Sequence, residues 1–145
     1  MKNIKLITFL FLTSLLVTSC YEETYWVDEN VTSEGKHFPV ISTLLVDNTP
    51  ESGTFAEGES AQISVFYWSI DPIKELQLMQ TVDSVETMVD VKPYASNFDD
   101  LKQTDKMTFS YLVPSGTTGT EIPLRIIVVN TNGLTRDKST TITVE

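Results

Sequence analysis

Between Ala61 and Ser69 the chain reads AQISVFYWS, and no other stretch constrains the fold as tightly. Ile63, Val65 and Tyr67 fall on one side of an extended backbone, while Gln62, Ser64, Phe66 and Trp68 fall on the other, because successive side chains of a strand point to opposite faces. The residues are β-branched and aromatic, the types that fit a pleated and half-buried surface. A helix would scatter the same residues around its circumference, so this segment predicts a strand with one face in a core.

The same period recurs along the chain. Phe38 to Val46 is an apolar, β-branched run that the turn-forming stretch DNTPESG breaks at Asp47 to Gly53. Ile73 to Val82 places Leu76 and Leu78 on one face, and Val85 to Val91 places Val85, Val89 and Val91 on one face. Met107, Phe109, Tyr111 and Val113 alternate with Thr108, Ser110 and Leu112. Ile122, Leu124, Ile126 and Val128 form another inward face, with Ile127 and Val129 on the reverse, the pattern of a central strand covered on both sides. Asn130-Thr131-Asn132-Gly133 ends that strand, and Thr140 to Val144 supplies the last. Seven short strands separated by turn signals, with no long helical period, predict an all-β, antiparallel sandwich.

In its pattern this part of the chain resembles the immunoglobulin-like and PKD-like modules of bacterial surface proteins. The segments that carry the resemblance are SIDPIKELQL (Ser69 to Leu78) and PLRIIVVNTNGLTRDKSTTITV (Pro123 to Val144). The cysteine pair of antibody domains has no counterpart, since Cys20 is the single cysteine.

Cys20 closes MKNIKLITFLFLTSLLVTSC, in which Lys2 and Lys5 precede an apolar run and the boundary residues are small. The run has the length of a secretory h-region and is short for a membrane span of about 20 residues. Val17-Thr18-Ser19-Cys20 resembles the lipobox of bacterial lipoproteins. That resemblance implies a signal peptide over 1–19, diacylglycerol and acyl chains on Cys20, and membrane anchoring through that lipid. The stretch 20–36 is acidic and aperiodic and reads as a tether; its Tyr21-Glu22-Glu23 resembles the surface-export signal of Bacteroidota lipoproteins. The implied address is the outer membrane, facing the cell exterior. Tyr25 and Trp26 are unusual in a spacer and are expected to dock onto the domain or a neighbour. The domain itself is 37–145.

Charge narrows the partners. The chain carries 10 basic and 20 acidic residues, a net charge of −10. Removing the signal peptide with Lys2 and Lys5 leaves 8 basic residues against 20 acidic ones, or −12. Nucleic acid is not an expected partner of such a chain.

Chemistry is sparse. His37 is the sole histidine, so a Ser-His-Asp or Cys-His arrangement could use only this residue, at the boundary of the tether, and a zinc site with several His or Cys ligands is excluded. His37 reads as an ordinary surface residue. Asp71, Asp83, Asp90, Asp99, Asp100 and Asp105 lie in or near presumed loops, with no nucleophile-base spacing among them. No catalytic residues and no cofactor are expected. Calcium is the one metal whose oxygen ligands are abundant, and Asp99 and Asp100 in Asn97-Phe98-Asp99-Asp100, with Asp47-Asn48, are its candidate segments, although neither matches an EF-hand.

The sharper signal is aromatic. Phe66 and Trp68 are expected on the outer face of their strand, where a ring can stack on a sugar or anchor a protein. Tyr94 and Phe98, in the long connection from Lys92 to Lys106, join them because binding residues concentrate in loops. Two functions follow: an accessory binding module of an uptake or adhesion system, whose partner is a polysaccharide or an outer-membrane protein, or a structural surface spacer with no small ligand. Small lipoproteins of this build resemble accessory proteins of outer-membrane nutrient uptake in Bacteroidota.

Overall fold

A computed structural model describes residues 29–145. The expected signal peptide, the lipidation candidate Cys20, and Tyr25 and Trp26 of the expected tether lie outside the described residues. Eight strands follow one another: β1 (Val40–Val46), β2 (Ser60–Trp68), β3 (Ile73–Val82), β4 (Val85–Pro93), β5 (Phe98–Asp99), β6 (Thr104–Leu112), β7 (Glu121–Asn130) and β8 (Thr135–Thr143). They form two four-stranded antiparallel sheets, ordered β1-β2-β6-β5 and β4-β3-β7-β8. This β-sandwich has the strand order of an immunoglobulin fold, ABED over CFG, with β4 added as an edge strand.

The core lies between the sheets. Ile63, Val65 and Tyr67 of β2, Phe109 and Tyr111 of β6, Leu76 and Leu78 of β3, and Leu124, Ile126 and Val128 of β7 are all fully buried there. These are the faces that the period-2 pattern predicts. Tyr111 reaches across to donate its hydroxyl to Gln80 Oε1 at 2.7 Å, and burial pushes its phenol up to about 12. Burial likewise holds the Tyr67 hydroxyl above the usual phenol range, with the charge of Asp105 acting in the same direction.

The structure departs from the sequence reading at four places, each for a local reason. The connection from Lys92 to Lys106 contains β5, a two-residue strand too short to show a period. The last strand begins at Thr135 rather than Thr140, because TRDKS pairs along the edge of its sheet, where polar side chains meet solvent. In β4 a bulge opposite Leu78 and Met79 splits the valines. Val91 pairs with outward Gln77 and Val85 with inward Val82, so the two do not share a face. Finally, no further layer covers the outer side of β7 among the described residues. Ile127 is half-buried between Gln77 and Asp137, and Val129 between Glu75 and Thr135.

The turns explain themselves chemically. Asp83 and Ser84 both take positive φ, 52° and 64°, which gives the two-residue β3–β4 hairpin a turn whose twist matches its strands. Gly133, at φ 84°, lets the β7–β8 turn close with its N–H on the Asn130 carbonyl at 3.0 Å. Before β1, Val31 bridges to His37, and Arg136 donates to the Glu29 carbonyl and to Asn30 Oδ1, both at 3.0 Å, while stacking over Phe38. The described part of the acidic stretch is therefore docked on the start of β8.

Candidate functional site

Three of the four aromatic candidates meet at one end of the sandwich. Trp68, at the end of β2, Tyr94, just after β4, and Phe98, in β5, line a groove of about 260 Å³ together with Ser69, Ile70, Asp71, Pro72, Ile73, Gln103, Thr104 and Asp105. The strand order makes this convergence. The end of β2 lies beside the start of β6, where Tyr67 pairs with Asp105, and Phe98 of β5 pairs with Asp105 from the other side.

Each wall is held by a carboxylate. Asp105 gathers the segment after β4: Oδ2 accepts the Tyr94 hydroxyl at 2.9 Å, and Oδ1 accepts Asn97 N at 2.9 Å and Ser96 Oγ at 3.1 Å. The bond to Asp105 holds the Tyr94 phenol above its ordinary range. On the opposite wall, Asp71 Oδ2 accepts His37 N at 2.7 Å and Asn132 Nδ2 at 2.8 Å. Asn130 is fully buried and ties Ser69 Oγ and the His37 carbonyl together at 2.9 and 3.0 Å. The loop between β2 and β3 is thereby fixed to the β7–β8 turn, which also donates Thr131 N to the Pro72 carbonyl at 2.8 Å.

The β5–β6 turn forms the third side. Asp99 Oδ1 accepts Leu101 N at 3.0 Å and Lys102 N at 2.9 Å, an Asx turn that aspartate is built to make. Gln103 then adopts φ 55° and donates to the Asp100 carbonyl at 2.6 Å. Thr104, only 6% exposed, stands among the lining residues, and its Oγ1 has no hydrogen-bond partner among the described residues.

Phe66 is the aromatic that does not join the groove. It lies on the outer face of β2 as predicted, yet it is 5% exposed. The ammonium groups of Lys102 and Lys106 stand 5.8 and 5.3 Å from its ring centre and their stems cover it, so its outward ring is not presented to solvent. Beside it, Ser64 bonds Asp47 and, at 2.8 Å, Thr108, which continues the polar character of that face.

His37 is half-buried rather than a plain surface residue, with Nδ1 3.6 Å from Asp71 Oδ1. The calcium candidates are placed by the turn they build: Asp99 caps its own backbone, Asp100 is exposed, and among the described residues no three His, Cys, Asp or Glu side chains are arranged to hold a metal ion. Asp71 and Asp105 are legible in the sequence only as carboxylates in or near presumed loops, although Asp105 belongs to the start of β6. Ile70 and Gln103 carry no sequence signal of their own, because their role follows from strand order.

No protein-family model matches the sequence, and no curated protein matches it either. Among solved structures, OgpA from Akkermansia muciniphila is similar, with a TM-score of 0.52, 16% identity and coverage of 78% of this chain and 30% of that one. A DUF4466 family protein from Parabacteroides merdae gives 0.52 at 9% identity, covering 74% of this chain and 45% of the other. A Niemann-Pick type C2 protein from the Japanese carpenter ant gives 0.51 at 9% identity, covering 77% and 96%. The chain thus spans less than a third of OgpA and under half of the DUF4466 protein. At these identities the likeness is one of fold.

Proposed function

We propose that this chain is a non-catalytic binding module of the cell envelope, anchored to the outer membrane through lipid on Cys20 and working through the groove lined by Trp68, Tyr94 and Phe98. The observation that carries the proposal is the convergence of three aromatic side chains from separate parts of the chain on one groove whose walls are braced by Asp71 and Asp105. Large rings that stay accessible are the residues that dominate binding hot spots, and here Tyr94 is 38% and Phe98 57% exposed. Bracing keeps them in place before a partner arrives, which lowers the ordering cost of association. The N-terminal segment docks at the start of β8, beside the β7–β8 turn that Asp71 grips. The groove therefore sits at the end of the domain where the N-terminal segment joins it.

The test is affinity purification of the full-length lipoprotein from crosslinked outer membranes, beside a Trp68→Ala version. A defined receptor or polysaccharide that co-purifies with the parent and is lost with Trp68→Ala is the expected result. Equal recovery from both, with both folded and anchored, overturns the proposal and leaves a structural spacer.

A further inference from the structure

The composition of the groove selects among partners. Resting on the binding-module reading, we infer that the groove receives an arginine side chain presented by a partner protein, rather than a sugar. Its lining holds three aromatic rings and two carboxylates, and no lysine, arginine or histidine lines it among the described residues. The nearest cations are committed elsewhere. Lys106 stands over Phe66 and 3.7 Å from Asp47, Lys102 stands over Phe66, and Lys74 lies 3.3 Å from Glu75. His37, which is not among the lining residues, has Nδ1 3.6 Å from Asp71 Oδ1.

The two carboxylates have acceptor capacity left. An ionised carboxylate offers about four lone-pair sites. Asp105 uses three of its own, on Tyr94, Ser96 and Asn97, and Asp71 uses two, on His37 and Asn132. All five donors are neutral groups of the backbone, hydroxyl or amide type, so they fix the carboxylates without cancelling their charge. Thr104 adds a buried hydroxyl with no hydrogen-bond partner among the described residues. An aromatic-walled site with unbalanced negative charge favours a flat, delocalised cation: guanidinium stacks on Trp and Tyr faces and pairs with carboxylate in a planar fork. The protein already uses this contact internally, where Arg136 stands 5.2 Å from the centre of the Phe38 ring.

The rim points to a protein as the source of that cation. Ile70 is 59% exposed and Phe98 57%, both at the groove, and Leu101, at the tip of the adjoining β5–β6 turn, is 95% exposed. Branched aliphatic side chains of this kind pack against another protein's apolar surface, whereas a sugar needs ring faces and hydrogen-bonding groups. The net charge of −12 left after removal of Lys2 and Lys5 would also speed the approach of a basic surface.

The experiment is a titration of the folded protein with the acetylated, amidated heptapeptide GSGRGSG, the same peptide with citrulline for arginine, and neutral galactose and N-acetylglucosamine oligomers. The assigned Trp68 indole N–H signal is the readout. The arginine peptide is expected to shift that signal and to bind at least tenfold more tightly than the citrulline peptide. The binding should weaken severalfold with Asp71→Asn and again as salt is raised from 50 to 500 mM, a range over which exposed charges become screened. Equal binding of both peptides, or no shift with either, overturns the inference. Binding of an oligosaccharide alone also overturns it but leaves the binding-module reading standing, which falls only if the membrane purification shows no dependence on Trp68.

Discussion

The two ends of the sandwich use the same device to different effect. At the end away from the tether, Glu57 holds the loop between β6 and β7 through one oxygen: Oε1 accepts Gly116 N, Thr117 N, Thr118 N and Thr118 Oγ1 at 2.6 to 3.0 Å. The β6–β7 loop wraps a carboxylate supplied by the β1–β2 connection and closes on it. Successive N–H groups curled around an oxygen form a ready anion site, and here the chain fills that site itself. At the other end, Asp71 and Asp105 also collect backbone N–H groups, but from two different walls, and a groove lined by rings remains between them. A carboxylate that serves one loop seals it, whereas two that serve facing walls hold a space open.

Asp105→Ala is the substitution expected to disturb this contrast most. It strands Tyr94, Ser96 and Asn97 without their shared acceptor. Thermal unfolding should report a loss of about 1 kcal/mol, a typical net contribution for hydrogen bonds whose stranded donors can turn to water, together with loss of partner capture. If capture survives, the braced wall is not what positions the aromatics.

Trp68→Ala separates binding from folding. Trp68 ends a strand whose inward neighbours already fill the core. Capture should fall at least tenfold, about 1.4 kcal/mol, while the melting curve keeps its cooperativity. A large stability loss would make Trp68 a structural residue instead.

Glu57→Gln probes the sealed end, and its effect is present at neutral pH and lost in acid. The Thr118 hydroxyl first, then the backbone N–H groups of Gly116, Thr118 and Thr117, hold this carboxyl below its ordinary value of 4.5. A lowered folded-state value means that the ionised form stabilises the fold. That contribution is complete above pH 4.5, begins to drain below it, and is gone once the pH falls through the depressed value. The stability gap between the parent and Glu57→Gln, followed by denaturant titration, should therefore be constant at neutral pH and close in acid. Partner capture at neutral pH should be unchanged, because the groove is at the other end.

Lys102→Ala carries the smallest expected effect. It removes one of two cations over Phe66, worth about 0.5–1 kcal/mol at an exposed site. Phe66 should become more accessible to solvent without gaining a role in capture.

These particulars also show what the sequence could reveal. The inward face of β2 was legible because Ala61, Ile63, Val65 and Tyr67 alternate strictly and all end fully buried. Phe66 was legible as outward but not as covered, since its cover comes from Lys102 and Lys106, some 40 residues along the chain. The start of β8 was hidden because an edge strand needs no apolar pattern. Trp68 was legible as an outward ring on its strand, and Tyr94 and Phe98 as rings in a long connection. Their meeting was not, because it depends on β6 lying between β2 and β5 and on Asp105 binding Tyr94. Local period is written in neighbours, whereas a site is written in topology.

The most direct test of the contrast is hydrogen exchange on the protein in isolated outer membranes, where the proposed function places it, against the purified protein. Slower exchange in the membranes at 69–73 and 94–105, with no change at 114–120, is the predicted result. Unchanged exchange at the groove, or protection at the Glu57 end instead, would contradict the account.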